Sequence, residues 1–388
     1  MPTLELKFVD SIAKIGAAAW NALSGTANPF TRYEFLWGLE HTGCTTRTTG
    51  WQPFHVTVHE AEGNSRTLVA VMPLYLKTNS YGEYVFDWSW ANAYQNHGLH
   101  YYPKFVTAVP FTPSVGSRLF MKTGLAETGI VALIRSEIEQ QAELLQASSW
   151  HVLFPLKEQY DTLAAAGLMC RTGCQFRWYN KDYQDFEHFL ESLNSRKRKN
   201  IRKERSKVKE AGVTFARIEG DNIDAAMWRR FYTYYQSTYM VRGMKGYLNL
   251  DFFEHLTKYM PDQIFMNVAR VDGQDIAAAL LFKNDSTLFG RYWGSKQDYQ
   301  FLHFETCYYQ GLDYAIEHKL QSFDSGAQGE HKIQRGFEPT FTYSNHWIKE
   351  EGFAQAIKKF LEEEQKHIIQ YKEEAGELLP FKLPFKSS

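Results

Sequence analysis

The side chains best suited to acid–base work lie between Arg291 and Arg335. Glu305 stands near the start of a helix expected over Glu305–His318, where a carboxylate takes up a proton or merely caps free N–H groups. Asp324 closes a short apolar stretch, Leu320–Phe323. The C-terminal end of a strand suits a catalytic carboxylate, and Asp-Ser-Gly is equally ordinary turn chemistry. His331 sits between Glu330 and Lys332 in a loop bracketed by Gly326, Gly329 and Gly336. Such a loop can present a histidine to a ligand, and an exposed surface histidine is the competing reading. Lys332 and Arg335 suit a phosphate or carboxylate, or form a solvated face. The chemistry these residues could supply is proton transfer beside a bound anion.

Other chemistries find less to work with. His303, Glu305, Glu330 and His331 lack the spacing of a closed metal site, so no metal is expected. Cys44, Cys170, Cys174 and Cys307 form no CxxC pair, which argues against a disulfide scaffold or a zinc ribbon. Cys307 is expected as a buried thiol. No GxSxG elbow or P-loop appears.

One stretch stands out by charge. Asn194–Glu210 reads NSRKRKNIRKERSKVKE, with nine basic residues against two acidic ones. On a helix, Arg196, Lys199, Lys203 and Lys207 fall near one stripe; Arg198, Arg202, Arg205 and Lys209 fall near its neighbour. The whole chain has 43 basic and 44 acidic residues, a net charge of −1, so this concentration is local. It reads as a footprint for a polyanion such as an RNA backbone, carried by Arg196, Lys197, Arg198, Lys199, Arg202 and Lys203. A charged, solvated helix is the alternative. Few aromatics interleave the run, so it would track phosphate rather than read bases.

The elements that must position these groups show an internal echo. PFHVTVHEAEGNSRTLVAVMPLYLKTNSYGEYVFDWSW (Pro53–Trp90) and QIFMNVARVDGQDIAAALLFKNDSTLFGRYWGS (Gln263–Ser295) each alternate like a strand, turn at Gly63 or Gly273, and run back to Lys77 or Lys283. Each is expected to end in an aromatic strand at Trp88 or Trp293, giving an antiparallel three-stranded meander. Helices are expected before the meanders at Ile12–Leu23, Tyr33–His41, Ala225–Tyr239 and Asp251–Tyr259, and after them at Thr128–Leu145 and Glu305–His318. Short strands follow at Trp150–Phe154 and Leu320–Phe323. The repeated order points to duplication and to two α+β modules joined near residues 155–180. The boundaries expected are 1–165, 166–350 and an amphipathic helix with a tail over 351–388. Residues 96–122 read as a long aromatic-rich insertion of the kind that lines a site. The 388 residues exceed what a single core normally organises, and 44% hydrophobic with 22% charged is globular composition. No signal-like N-terminus or long apolar run appears, so a cytoplasmic location and no transmembrane segment are expected.

YYPKFVTAVPFTPSVGSRLF (Tyr101–Phe120), GRYWGS (Gly290–Ser295), LHFETCYYQGLDYAI (Leu302–Ile316) and GAQGEHKIQRGFEPTFTYSNHW (Gly326–Trp347) resemble a bacterial family of Fem-like proteins. The family is described as GNAT-superfamily acyltransferases or as peptidoglycan biosynthesis/recognition proteins, and the resemblance spans nearly the whole chain. It implies two tandem GNAT-like modules, and transfer of an aminoacyl or other acyl group onto an amine, such as that of a peptidoglycan precursor or an amino-acid-like metabolite. The better-studied Fem-type enzymes draw the acyl group from aminoacyl-tRNA.

By the same resemblance the cleft opens where the strands ending at Trp293 and Phe323 splay apart. One lip would offer Arg291, Tyr292 and Trp293, the other Asp324, Ser325 and Gly326, with the helix beginning near His303–Glu305 pointing into the opening. Acyl transfer to an amine needs a donor cleft, an acceptor amine, a route for its proton and donors facing the oxyanion. Glu305, Asp324 and His331 would then handle protons; Arg291, Tyr292, Trp293, His303, Lys332 and Arg335 would bind substrate. Asp87 and Trp88 belong to an aromatic cluster of the first module that is either a substrate wall or core. GNAT enzymes that use acetyl-CoA usually carry a glycine-rich turn for pyrophosphate, whereas Lys296–Glu305 contains no glycine. Aminoacyl-tRNA, contacted through residues 196–209, is therefore favoured over acyl-CoA, with no permanently bound cofactor and a muropeptide-like or small-molecule acceptor. An acetyl-CoA-dependent N-acetyltransferase and a non-catalytic binder of RNA or cell-wall fragments are the alternatives.

Overall fold

Apolar side chains alternate through QIFMNVARV, and an Asp-Gly turn follows. In the computed structural model, which describes residues 3–241, 243–297, 299–327 and 329–382, these become strand Ile264–Val271 and a hairpin to Gln274–Lys283. Asp272 and Gly273 take positive φ of 49° and 75°, the type I′ geometry that matches strand twist. The chain turns back again into Thr287–Ser295, completing the expected antiparallel meander.

Two units divide the chain: Met1–Gly173 with Phe341–Ile369, and Cys174–Thr340 with Gln370–Ser388. The expected boundaries at 165 and 350 differ from this division, because strand exchange between distant segments leaves no mark in local pattern. The chain leaves the first unit within strand Met169–Tyr179 and returns within strand Glu338–Ile348.

In the second unit the strands lie in the order Thr214–Glu219, Ile264–Val271, Gln274–Lys283, Thr287–Ser295, Ser322–Asp324 and Met169–Tyr179. All neighbours are antiparallel except Thr287–Ser295 with Ser322–Asp324. Helices Ala225–Met240 and Leu250–Tyr259 start on Asp224 and Asn249, whose side chains accept the N–H groups of Met227 and Phe252. The former helix lies so close to the sheet that a Cβ on Gly294 would come within 2.1 Å of the Tyr234 carbonyl. Phe265, Leu281, Leu288, Tyr309, Leu312 and Phe323 form the heart of the core.

The first unit holds a four-stranded sheet, Thr3–Val9, His55–Glu62, Ser65–Met72 and Phe120–Met121 in that order. Its other strands run Glu338–Ile348, Ser149–Leu153, Lys104–Thr107, Tyr75–Lys77 and Trp51–Pro53, with Lys104–Thr107 parallel to Ser149–Leu153. Here the sequence expectation needs correction. The aromatic run at Trp88 is a helix, Trp88–Asn96, and the third strand is Lys104–Thr107, inside the supposed insertion. Trp90 and Tyr94 are spaced for one helical face and are both buried, which the every-other-residue tryptophans of Asp-Trp-Ser-Trp disguised. Helix Ile12–Leu23 is likewise two pieces, Ile12–Lys14 and Ala17–Ser24, broken at Gly16 (φ 85°). Among the described residues no helix is long and apolar enough to cross a membrane.

Candidate functional site

Strands Thr287–Ser295 and Ser322–Asp324 pair over three rungs only, Thr287–Ser322, Leu288–Phe323 and Phe289–Asp324, and then separate. From Gly290 onward the longer strand keeps its partner on the other side alone. Arg291 is the extra residue of a bulge, since Leu280 faces Tyr292 and Leu281 faces Gly290. The parting leaves a cavity of about 100 Å³ lined by Arg291, Trp293, His303, Cys307, Tyr308 and Ser325, among others. The Ser325 hydroxyl is buried there without a hydrogen-bond partner among the described residues.

The two lips are locked by charge. The Arg291 guanidinium meets Asp324 at 3.2 and 2.9 Å, with both side chains nearly inaccessible. Burial alone would raise the Asp324 carboxyl; Arg291, with Arg177 and the Gly326 N–H, outweighs it and holds it below the usual aspartate range. Asp324 is thus an ion-pair partner, poorly suited to accept a proton. Lys332 is buried and donates to the carbonyls of Ser325 (3.1 Å) and Gly326 (2.7 Å), staples for the second lip. Burial brings its amine down to about 8. Arg335 lies 3.5 Å over the Phe304 ring, donates to the His331 carbonyl and pairs with Glu204 at 2.7 Å. Neither cation is a loose anion hook; both organise the loop.

His331 and His303 come together, with ring centroids 6.2 Å apart. His303 packs edge-on against Trp293 and Tyr308, and burial with nearby cations holds it at about 4, so it is neutral. The half-buried His331 places Nε2 3.0 Å from the Tyr308 hydroxyl, and burial followed by Arg335 and Lys332 lowers its pKa too. Burial drives the thiol of Cys307, a partly buried residue on the cavity wall, far above the ordinary range, which leaves it a poor nucleophile. Among the described residues no group of three His, Cys, Asp or Glu side chains could hold a metal ion.

The sequence pattern that defines the FemAB-like family, described as peptidoglycan biosynthesis/recognition, matches residues 11–383. The chain belongs to the FemAB-like family. No curated protein matches it in sequence. Among solved structures FemX superposes with a TM-score of 0.52 at 11% identity, over 91% of this chain and 100% of FemX. A tandem GNAT protein from the clavulanic acid biosynthesis pathway gives 0.48 at 11% identity, over 90% and 99% of the two chains. A conserved protein of unknown function from Bacteroides thetaiotaomicron gives 0.49 at 10%, over 88% and 99%. The mixed α+β fold is shared with FemX.

Within this FemAB-like chain, Glu305 faces away from the cleft. Its helix begins as Leu302–Phe304, widens into a π turn at Glu305–Tyr309 and continues as Gln310–Glu317. His303, Cys307 and Tyr308 line the cleft, whereas Glu305 and Gln310 line a different cavity. Arg205 and Gln310 donate to Glu305 Oε1 at 3.0 and 2.8 Å. Burial raises the Glu305 carboxyl against the opposing pull of Arg205. The expected basic helix exists as Ser195–Glu210, started by the Asn194 side chain accepting from Lys197 N–H. Arg202 pairs with Glu187 and Arg205 with Glu305 and Asp313. Arg196, Lys197, Arg198, Lys199 and Lys203 have no acidic partner among the described residues. In the glycine-free turn before Leu302, Tyr299 and Phe301 pack against a core cluster with Val208 and Ile276.

The first module of this FemAB-like protein is closed by its own chain. Past the parallel pairing of Phe105–Thr107 with Trp150–Val152, the next carbonyls accept from the insertion: Leu153 from Arg118 Nε at 2.8 Å and Phe154 from Gly116 N–H at 3.1 Å. Asp87, read from sequence as part of either a substrate wall or the core, points inward. It takes Lys104 and, at 2.6 Å, the Tyr101 hydroxyl, in a buried network that continues through His151 to His346. Trp88 is exposed and meets Tyr81 edge to face. Sequence reasoning missed Lys104, His151 and His346 of this network, Tyr308 and Glu204, and the pairing of Arg205 with Glu305 and Asp313. Their partners lie far away in the chain, with no local pattern to announce them.

Proposed function

We propose that this FemAB-like protein is an acyltransferase that moves an aminoacyl or other acyl group onto the amine of a peptidoglycan-precursor-like acceptor, in the second module. The observation that carries this reading is the parted strand pair, whose cavity is lined by Tyr308, with the Tyr308 hydroxyl hydrogen-bonded to His331. The acyl carbonyl would lie along the free strand edge, with the Ser325 hydroxyl as one donor to the developing oxyanion. The acceptor nitrogen attacks the carbonyl carbon and forms the C–N bond. Tyr308 takes the amine proton as it passes its own to His331 Nε2, and the imidazolium returns a proton to the leaving oxygen as the ester bond breaks. Asp324 and Arg291 hold the lips, and Lys332 and Arg335 hold the loop that carries His331. Glu305 takes no part in this relay.

The donor in this reading is aminoacyl-tRNA. Two features support it: the glycine-free stretch before Leu302, whose Tyr299 and Phe301 pack against the core, and the cations Arg196, Lys197, Arg198, Lys199 and Lys203 on helix Ser195–Glu210, which have no acidic partner among the described residues. The test is single-turnover transfer from aminoacyl-tRNA to a muropeptide amine, with acetyl-CoA as the competing donor. His331→Ala and Tyr308→Phe are expected to slow transfer about 100-fold, the ordinary worth of positioned acid–base catalysis. Unchanged rates in both variants would remove the relay, and turnover with acetyl-CoA alone would remove the tRNA donor.

A further inference from the structure

A cavity of about 660 Å³ opens beside the basic helix of the second unit, between helices Phe186–Ser192 and Ser195–Glu210, strand Thr214–Glu219 and the π turn. It shares no lining residue with the transfer cleft. Its size falls within the range of small-molecule sites. Arg202, Arg205, Ser206 and Lys209 reach it from the basic helix, at the spacing that puts residues on one helical face. Arg198 and Lys199 extend that face by one turn toward the helix start.

The basic run has few aromatics of its own, and the fold supplies them from the elements on either side of it in the chain. Phe186, from the preceding helix, and Phe215, from the following strand, both line the cavity. Each ring is partly buried, rooted in a core cluster and reaching the cavity. Charge is sorted by depth. At the inner wall Arg205, 4.3 Å from the Phe186 ring centre, is shared by Glu305 at 3.0 Å and Asp313 at 2.7 Å, a setting that repels a phosphate. At the rim Lys209 is exposed with no acidic partner among the described residues, and exposed Arg202 is paired with Glu187. Arg198 and Lys199 have no acidic partner among the described residues either. A row of cations beside accessible rings is the combination that holds single-stranded nucleic acid, the cations following phosphates and the rings stacking bases.

We propose that this cavity seats a nucleotide, one residue of a single-stranded RNA or a free nucleotide of the same chemistry. The base lies against Phe186 and Phe215, its phosphate rests at the rim on Lys209 and Arg202, and in a strand the neighbouring phosphates follow Arg198 and Lys199. The sugar separates an uncharged base from a charged phosphate. The base can therefore enter beside a wall where two carboxylates share one guanidinium, while the phosphate stays on exposed cations. The inference rests on the reading of helix Ser195–Glu210 as a polyanion surface, and is independent of acyl transfer. It adds to that reading a strand that is unpaired at the cavity, since a base inside a duplex leaves its stack only at a cost.

The experiment is fluorescence-anisotropy titration of the full chain, at fixed salt, with hexaadenylate and with the same ribose-phosphate strand lacking its bases. The two carry equal charge, so a helix that only tracks phosphate binds them alike. Hexaadenylate should bind about tenfold or more tightly than the abasic strand, the order expected of one stacked base. Phe215→Leu should bring hexaadenylate down toward the abasic strand and leave the abasic strand unchanged, whereas Phe215→Trp should preserve the difference. Lys209→Glu, at an exposed position that does not threaten folding, should weaken both strands and shallow their dependence on salt. AMP displacing the probe at concentrations comparable to unlabelled hexaadenylate would identify free nucleotides as the source of the ligand, and a tenfold or greater advantage of the strand would identify RNA. The proposal falls if the two strands bind equally, or if folded Phe215→Leu keeps the full difference. Equal, salt-sensitive binding removes the cavity's role and leaves the helix a phosphate track; binding of neither strand removes both. None of these readouts depends on acyl transfer.

Discussion

Lys332 shows how little a residue's type says about its task until its partners are known. The sequence marks it as a cation in a loop, yet it is buried and spends its hydrogens on two carbonyls of the cleft's lip. A neutral amine still has donors for both, so losing the proton does not free the lip. The folded chain gives up that proton near pH 8, whereas an unfolded lysine keeps it until about 10.5. Between those values the unfolded state binds more protons, so stability rises with pH, by at most on the order of 3 kcal/mol from this residue. Urea unfolding across that window should show the rise, and Lys332→Met should flatten it; an identical profile in the variant would contradict the assignment. His331 behaves oppositely to a salt-bridged histidine. Its pKa is lowered, so it remains a competent base below the usual histidine range, and the acid limb of transfer activity should lie below about pH 6.5. At this scale the sequence was legible in residue types. Asp324 and Lys332 hold the second lip and His331 bonds Tyr308 beside it, whereas Glu305 lines a different cavity. The sequence could not show that Asp324 is neutralised by Arg291 or that Glu305 belongs to Arg205, because those partners come from other elements.

Elements were more readable than their contacts. The meander Ile264–Ser295, the helices over Ala225–Met240 and Leu250–Tyr259, and the basic helix all follow from period and capping chemistry. The exceptions share a cause. Trp88–Asn96 and the π turn at Glu305–Tyr309 are decided by what they pack against, and their local sequence fits another element equally well. Gly294 is an element-scale requirement of the opposite kind, invisible in pattern but absolute in space. With helix Ala225–Met240 pressed against the strand, a methyl group would sit 2.1 Å from the Tyr234 carbonyl, and backbone cannot yield as a side chain can. Gly294→Ala is expected to cost about 3 kcal/mol or more, read by denaturant midpoint, and to deform the cleft strand. A variant of wild-type stability would mean the helix has room to retreat. For the basic helix, replacing Arg196, Lys199 and Lys203 with glutamate should weaken tRNA binding and shallow its dependence on salt, since a helix that neutralises fewer phosphates releases fewer counterions. Binding unchanged at low and high salt would make the run a solvated face.

At the scale of the whole molecule, each unit holds a parallel strand pair and treats it differently. The pairs are Lys104–Thr107 with Ser149–Leu153 in the first and Thr287–Ser295 with Ser322–Asp324 in the second. In the first, Arg118 and Gly116 bond the carbonyls past the pairing; in the second, the parting stays open. The units are also not successive beads. The first unit is completed by Phe341–Ile369, whose strand supplies the antiparallel partner of Ser149–Leu153 through the rungs Ser344–Leu153 to Ile348–Ser149. That strand also places His346 against His151 and Trp90. A fragment of residues 1–173 would therefore expose one edge of a five-residue strand that is buried throughout, together with half of a buried histidine pair. Such a fragment should aggregate or lack a cooperative thermal transition. Joining Phe341–Ile369 to it through a flexible linker should restore the transition. If residues 1–173 alone melt cooperatively with native-like helix content, the returning segment is dispensable and the first module is a self-sufficient bead after all.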